Sequence, residues 1–475
     1  MSAVNINSPE LDYGSKINNH STVVYRSITP QGSSSITLGT TSGVVGPVEF
    51  IMPPSVFNPS KCRLNFSINL NSAGGTGAAT NVFRWVNGNL GTILNRVVLY
   101  DSATSAIVCD VSNFDKWTSM IAPSSEPLDK YLGKSSPAQA TLPSVTEATA
   151  QAFPLENLTR NNVATTANFT GVTTGTLAGS DYTGRRLWYI SPTTSTDATA
   201  CYLNVSLLFA DIFQFTALSL DKNCYVPSNW VLQVYFNPND SFQFNSASAT
   251  DATVVNSVAT GAVVSRLQVQ LANEANLNLV AQTIDLVMKQ GVTLPVAYPT
   301  VTRQTFSSTT APSYQLQLTQ GYGKRILFLA TSPFGLGGTT GGPGTTINYN
   351  QYHGAPRTNL LQYQTTLNSV PIKTPAGFDC TKGDDWTIGN STYLEKSPTQ
   401  SQTYYISQDW IHVDSFFGEK PLSEVDQTMV DGIDVSTQSQ TYGFQATTTS
   451  YAQTWITAIV GQKMLQLSSM GAMMS

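Results

Sequence analysis

The chain is short of charge. Asp, Glu, Lys and Arg make up 11% of its 475 residues, less than half of the roughly 25% usual in soluble domains. Ser, Thr, Asn and Gln take their place, so the surface is polar but electrically quiet. A protein that lives alone uses charge to keep its copies apart. One packed against its copies has less use for charge, which is depleted from interface cores. A secreted β-protein with a Ser/Thr-rich surface would share this composition. The net charge of −5 argues against the whole chain wrapping nucleic acid, whose binders carry a basic face. The tight basic pairs, Arg185-Arg186 and Lys324-Arg325, adjoin strand-like runs and read as solvated strand ends.

Other absences remove most enzyme chemistry. The five cysteines (Cys62, Cys109, Cys201, Cys224, Cys380) are scattered, with no CxxC and no Cys/His pairing. Zinc is therefore not expected, and these residues read as small buried apolar side chains. Residues 1–10 show neither a basic n-region nor an apolar h-region, so the expectation is folding in a reducing compartment. The sequons at Asn65, Asn157, Asn168, Asn204 and Asn390 then arise by chance. No apolar run approaches the roughly 18 residues that span a bilayer.

The three histidines are His20, His353 and His412. His412-Val-Asp-Ser415 looks triad-like, but on a strand residues two apart share a face while Ser415 points away. An ordinary strand position is the expectation. The glycine-rich stretch 335–344 lacks the Lys-Ser/Thr of a P-loop and precedes no helix signal, so it reads as a surface loop. Acidic residues at Asp384-Asp385 and over 424–434 lack the oxygen-ligand spacing of a calcium loop. A glycosidase pair drawn from distant strands stays open. No catalytic, cofactor-binding or metal-ligating residue is singled out.

What is present is strand. With 41% hydrophobic residues over this length, the chain is too long for one ordinary core and suits two domains. Residues 48–52, 63–70 and 93–100 alternate, or are rich in β-branched and aromatic side chains. Asp101-Ser-Ala-Thr turns the chain into 105–111. A short helix is expected over 113–121, capped by Ser112 or Asn113 and closed by Pro123. From 123 to 184 the pattern fades into small polar residues, at a length that in compact domains carries function or contacts. Strand signals return at 186–190, and the runs 201–209 and 230–236 bracket a compact apolar turn ending at Pro227.

Residues 241–257 are Ser/Ala/Thr-rich and read as a linker. The alternation of Leu267, Val269 and Leu271 then predicts the opening strand of a second unit over 263–271. One helix follows over 273–290, with Leu277, Val280, Ala281, Ile284, Val287 and Met288 on one face and Gly291 as its stop. Further strands are expected at 293–297, 314–318, 325–330, 410–416, 442–447 and 455–460, interrupted by a loop over 333–368. Strands, helix, strands, long loop, strands: this order occurs about twice, which predicts an all-β chain of two sandwiches in tandem.

The pieces also resemble a known family. Leu94-Asn-Arg-Val-Val-Leu-Tyr runs into Asp101-Ser, then Ile107-Val-Cys-Asp, then Asn113-Phe-Asp-Lys-Trp. Later come Ser206-Leu-Leu-Phe-Ala-Asp-Ile-Phe213, Tyr225-Val-Pro227 and Val231-Leu-Gln-Val-Tyr-Phe. The helix with its following Gly-Val-Thr-Leu-Pro-Val-Ala-Tyr298, and Trp455-Ile-Thr-Ala-Ile-Val-Gly-Gln-Lys-Met-Leu-Gln-Leu467, complete the series. In this order they resemble the double jelly-roll major capsid proteins of polinton-like viruses, virophages and nucleocytoplasmic large DNA viruses, the adenovirus-like lineage.

The resemblance implies two tandem eight-stranded jelly-roll β-sandwiches with short helices and long loop insertions. It divides the chain into an N-terminal arm (1–44), a first jelly roll (45–240), a linker (241–257), a second jelly roll (258–467) and a C-terminal tail (468–475). It implies a structural major capsid protein, not an enzyme, that trimerises into pseudo-hexagonal capsomers and builds an icosahedral double-stranded DNA virus shell. Such a protein is made and assembled inside the host cell and resides in the virion capsid. Its partners are the other chains of a homotrimer, neighbouring capsomers, minor capsid or penton proteins and an inner membrane. Neither sequence-specific nucleic acid binding nor a cofactor is implied. The segments 123–184 and 333–368 are expected at barrel ends, as an outward tower or a clasp on a neighbour. Leu11, Tyr13 and Ile17 give the N-terminal arm something to bury beneath the barrels, and the Met-rich tail either docks on a neighbour or frays. Without the resemblance, the residues support a two-domain β-sandwich with no visible active site. A carbohydrate-binding or adhesive protein is then the alternative reading, and a glycoside hydrolase the third.

Overall fold

The structure, a computed structural model, describes residues 21–38, 43–69, 82–85, 90–125, 139–141, 152–154, 188–190, 202–238, 243–246, 254–255, 263–334, 360–380, 382, 384, 391–393, 410–417, 422, 432–448 and 451–475. Its longer strands, numbered here in chain order, fall in two groups. The first comprises β1 (Val23–Ile28), β2 (Val45–Met52), β3 (Arg63–Asn69), β4 (Leu94–Asp101), β5 (Ile107–Ser112), β6 (Tyr202–Leu208), β7 (Trp230–Phe236) and β8 (Val263–Glu274). The second comprises β9 (Val292–Thr309), β10 (Ser313–Leu318), β11 (Arg325–Phe334), β12 (Leu360–Leu367), β13 (Trp410–Ser415), β14 (Gln440–Thr448), β15 (Tyr451–Ser468) and β16 (Gly471–Met474). Two longer helices accompany them, α1 (Phe114–Ser125) and α2 (Leu277–Lys289).

In the first group, one sheet runs through β8, β3 and β6, with β1 paired to β8, and a second runs β2-β7-β4-β5. Both are antiparallel. Their facing sides supply a common core: Leu64, Phe66 and Ile68 from β3, Val269 and Leu271 from β8, and Leu232 and Val234 from β7. Each set recurs at every second residue, the period that puts side chains on one face of a strand. Five short strands, among them Val82–Trp85 and Gln243–Ser246, make a separate small sheet.

In the second group, one sheet runs β9-β15-β11-β13, with β16 on β15, and the facing sheet runs β10-β14-β12. Every second residue of β10 is buried (Tyr314, Leu316, Leu318), while Ser313, Gln315 and Gln317 face out. The β15 sheet is buried on both sides. Trp455 and Ile459 join the core shared with β10, β12 and β14, whereas Ile456, Ala458 and Val460 join the core of the first group. A register shift between Ile326 and Phe328 turns both Leu327 and Phe328 of β11 toward the first group. There Phe215 meets Phe328 edge to face, with ring centroids 5.1 Å apart.

The pairing corrects the expected division of the chain. Val263–Glu274, expected to open the second sandwich after a boundary at 258, is hydrogen-bonded to β3 and β1 of the first. Among the described residues, no ladder joins a strand before residue 275 to one after residue 291. The strand was legible; its partner, two hundred residues upstream, was not. The tail beyond 467 is also more than an end: β16 forms a hairpin with β15, pairing Leu467 with Ala472.

Three other expectations shift. Helix α2 starts at Leu277 behind an Asn276 cap, whose side chain accepts the Asn278 N–H. Of its expected apolar face only Val287 is buried, and Leu277, Ala281 and Met288 are exposed. Helix α1 continues through Pro123 and ends two residues later at Ser125, so the missing N–H of the proline and its clash with the preceding turn act at the last turn of the helix. The segment read as a loop over 333–368 ends in a core strand, β12, which buries Leu360, Tyr363 and Thr365. Pro333 and Phe334 still belong to β11, whereas 335–359 with its glycine-rich stretch, most of 123–184 and residues 1–20 of the arm lie outside the described residues.

Candidate functional site

His412 and Asp414 do share a face of β13, and that face points into the core of the second sandwich. Both are fully buried. The imidazole Nε2 lies 3.0 Å from Asp414 Oδ1, and Nδ1 lies 3.0 Å from the Tyr363 hydroxyl of β12. Tyr442 of β14 donates its hydroxyl to Asp414 Oδ2 at 2.9 Å, and Thr365 donates to Oδ1 at 3.4 Å. Burial by itself raises the Asp414 carboxyl, but the charge and hydrogen bond of His412 and the Tyr442 hydroxyl outweigh it and hold the group below the usual carboxylate range. Ile411 and Val413 alternate onto the other face, into the first-group core. The His-Asp pair is thus a polar rivet between two sheets, sealed from any substrate by the aromatic layer of Tyr363, Phe378 and Phe444.

Metal and redox chemistry find no foothold among the described residues. No group of three or more His, Cys, Asp or Glu side chains there is placed to share an ion. Asp384 accepts the Asp379 N–H, while Asp385 and most of 424–434 lie outside the described residues. Cys62, Cys109, Cys224 and Cys380 are buried thiols outside any disulfide, and burial pushes the first three up to about 12. Thiols so raised are poor nucleophiles. No described helix is long and apolar enough to cross a membrane.

The residues that carried the family resemblance have structural work. Arg96 forks onto Asp110 across the β4–β5 pair, through Nε at 2.8 Å and a second nitrogen at 2.6 Å. Asn95 donates to the Asn237 side chain, which in turn holds the Leu94 carbonyl. The strand ends of β4 and β7 are fastened together in this way.

The junction between the two sandwiches centres on a residue that sequence reading treated as a turn. Asp101, at the end of β4, is fully buried, and its carboxylate accepts from Ser228 Oγ, from the Ala103 and Thr104 N–H groups, and from the Ala472 N–H of β16 at 2.9 Å. Thr104 donates back to the Ala472 carbonyl at 2.6 Å. Burial favours the protonated acid, but these donors together hold Asp101 below its ordinary range. The approach needs Gly471, whose φ is +119° and whose place a Cβ would share with the Asp101 oxygens at 3.0 and 3.1 Å. Asp-Ser-Ala-Thr signals an Asx turn; nothing in it announces a partner at the far end of the chain.

Outward, the second sandwich presents an uncharged face of Gln315, Gln317, Gln445 and Thr447. An open cavity of 340 Å³ there is lined by Pro312, Gln362, Gln364, Pro375 and Gln445. Its amides are occupied: Gln362 and Gln364 donate to the Ala376 and Pro375 carbonyls, and Gln445 donates to Gln364. Among the exposed large apolar side chains described, Tyr25 is the one aromatic, and it lies on the other sandwich. The stacked aromatic platform of a sugar site is not assembled from the described residues.

No protein-family model matches the chain, and no curated protein matches it either. Solved structures do. The capsid of the virus PBCV-1, in a quasi-atomic model, superposes with a TM-score of 0.52 at 10% identity, covering 96% of this chain and 97% of that one. The chain has the double jelly-roll capsid fold. The mavirus major capsid protein (TM-score 0.49, 9% identity, 95% and 90% covered) and the Sputnik virophage structure (0.46, 12%, 100% and 93%) are also similar.

Proposed function

We propose that this chain is a structural major capsid protein that trimerises into pseudo-hexagonal capsomers and builds an icosahedral shell around double-stranded DNA. The observation that carries the reading is the match to the PBCV-1 capsid along nearly the whole of both chains. Both sandwiches and the segment between them are covered, not one widespread β-fold alone. Two further features support it. The surface is poor in charge, as suits a protein packed against its copies. The sandwiches share one continuous hydrophobic cluster and are clasped by the Asp101 and Thr104 bonds to Ala472, so they present themselves as a rigid pair, and a tile needs a fixed angle between its parts. In this reading the first jelly roll closes with β8, α2 is the connector, and the second jelly roll runs from β9 to the C-terminal hairpin. Neighbouring capsomers, minor capsid or penton proteins and an inner membrane are its expected contacts, in the virion capsid, after assembly inside the host cell.

Size-exclusion chromatography with light scattering on the purified chain tests this directly. The expected result is a stable trimer, three times the 51.1 kDa chain, that shows pseudo-hexagonal outlines by negative-stain microscopy. A monomer that binds glycans on an array would replace the capsid reading with the carbohydrate-binding one.

A further inference from the structure

Strand β1 pairs with β8, from Val23 opposite Glu274 to Ile28 opposite Val269, and among the described residues no strand lies along its other side. Thr22 fixes its start: its N–H sits on the Glu274 carboxylate and its carbonyl accepts from Ala275. Open edges recruit further strands, so proteins guard them with lysine, proline, inward-pointing charge or a bulge. The run Val-Val-Tyr-Arg-Ser-Ile has no lysine or proline, and its register on β8 is unbroken. Its middle, residues 24–27, is exposed on both faces, with Val24 at 55% and Tyr25 at 50%. Strand β10, at the edge of a sheet in the second sandwich, exposes Ser313, Gln315 and Gln317 and buries its apolar side chains. Of these two edges, β1 is the one with apolar surface still to bury.

The ladder decides which backbone groups face outward. Ala272 turns its N–H to Cys62 Sγ and its carbonyl to the Asn58 N–H, on the side of β8 away from β1. Its neighbours Leu271 and Asn273 therefore turn theirs toward β1, where they lie opposite Arg26 and Val24. The N–H and C=O groups of Val23, Tyr25 and Ser27 are left pointing out of the sheet edge. An added antiparallel strand must set outward residues against outward residues. For a second copy of β1, this rule leaves a few registers, each with a two-fold axis. An axis at Val24 overlaps only residues 23–25 of the two strands. An axis at Arg26 overlaps 24–28 but places two guanidinium groups directly opposite each other, which destabilises the pair. An axis at Tyr25 overlaps 23–27 and avoids that clash. There Val23 meets Ser27, Val24 meets the aliphatic stem of Arg26, and the two Tyr25 rings meet at the axis. The register offers about six backbone hydrogen bonds, two for each of its hydrogen-bonded pairs. The strand is thus complementary to its own copy in both charge and backbone pattern.

We propose that two copies of this chain join β1 to β1, antiparallel across a two-fold axis at Tyr25, so that their β8 sheets become one continuous sheet. The inference does not depend on the capsid reading. A three-fold trimer contains no two-fold axis, so within that reading the contact lies between capsomers, where repetition strengthens a contact that is weak singly. Tyr25→Cys, Val24→Cys and Arg26→Cys are made separately in the full chain, oxidised with copper-phenanthroline, and mapped by mass spectrometry. Across the axis the position-25 Cα atoms lie about 5.5 Å apart, within the roughly 4.4–6.8 Å that a disulfide spans. Positions 24 and 26 meet their own copies only diagonally, at about 7–8 Å. Tyr25→Cys is therefore expected to link to itself at least tenfold faster than either neighbour does, and an equal mixture of the other two variants to form the 24–26 disulfide. No linkage at position 25, or equal rates at all three positions, overturns the inference. Tyr25→Lys in the otherwise unaltered chain gives a second measurement, by light scattering in reductant at rising concentration. The parent's growth in mass beyond its smallest unit is expected to disappear in the variant, with Tm unchanged. A parent that does not grow, or a variant that grows equally, also overturns it. The mass of the smallest unit, trimer or not, reports on the capsid reading separately.

Discussion

The Asp101 carboxylate accepts the backbone N–H of Ala472 at 2.9 Å, across 371 residues of sequence. One partner ends β4 of the first sandwich and the other lies in the last strand of the second. Apolar packing, as between Phe215 and Phe328, holds two domains together without fixing their angle, because dispersion and hydrophobic contact are non-directional. A buried carboxylate with donors from both sides is directional and admits one arrangement. The double jelly roll thus combines a broad greasy junction with a small polar lock.

Replacing Asp101 by Asn tests that lock. The amide keeps the shape but turns an N–H group toward donors, and leaving buried donors unpaired costs about 1–3 kcal/mol, more around a charge. A loss of about 2–4 kcal/mol is expected in urea unfolding at pH 7. Because its donors lower the folded Asp101 pKa, its contribution is present above the ordinary carboxylate value and lost as pH falls through the lower folded one. The gap between wild type and Asp101→Asn should therefore narrow in strong acid. An Asn variant as stable as the parent at pH 7 contradicts the lock.

How much of this was legible in sequence depended on what each strand faces. β10 was readable because one side is wet, so Tyr314, Leu316 and Leu318 alternate with Ser313, Gln315 and Gln317. In β15 the run at 455–460 was readable as strand, but its full extent over Tyr451–Ser468 was not: it is buried on both faces through its middle, and polar residues such as Gln453 and Gln462 are buried in it as well. β12 was missed because Leu361 faces out and breaks the alternation. For β8 the strand was plain but its sheet was not, since alternation fixes a face and names no partner. The periodicity of α2 correctly showed an apolar side without showing that most of it stays uncovered by the described core. Asp101 could not be found, because its chemistry arises only when the first sandwich meets the last strand of the second.

Gly461 sits in β15 where a Cβ would collide with the carbonyl oxygen of Tyr322. The obstacle is backbone from the turn before β11, so no side chain can swing aside. Gly461→Ala must therefore push β11 and β15 apart, and such overpacking typically costs about 1–3 kcal/mol or more. A fall of at least several degrees in Tm is expected, with the loss registered by the fluorescence of Trp455 in the same strand. An alanine variant that melts with the parent shows that the two strands separate freely here.

The Tyr442–Asp414 bond offers a pH test confined to the second sandwich. Asp414 is titrated lower in the folded protein, so its stabilisation is complete above roughly pH 4 and declines as pH falls through the folded value. Tyr442→Phe removes a donor to the carboxylate and so raises that folded value. The variant should lose about 1–3 kcal/mol at pH 7 and begin acid unfolding at a higher pH than the parent. Coincident acid transitions for the two proteins would show that the hydroxyl does not support the charge.

The C-terminal hairpin gives the last prediction. Removing residues 469–475 takes away β16, including Gly471 and Ala472, and with them the junction's donor to Asp101 and acceptor for Thr104. It also uncovers Leu465 and Leu467, both buried beside Ala472. The cores around Phe66 and around Trp455 stay intact, so both sandwiches should still fold. What should fail is their coupling. Calorimetry of the truncated chain is expected to resolve two transitions where the full chain shows one, and limited proteolysis should cut within 275–291, between the sandwiches, faster than in the parent. If the tail is only a frayed end, truncation leaves a single transition at the original temperature and the same cleavage pattern. The paired backbone of Met464 and Ser475, which bond in both directions at 2.8 and 3.0 Å, argues for the first outcome.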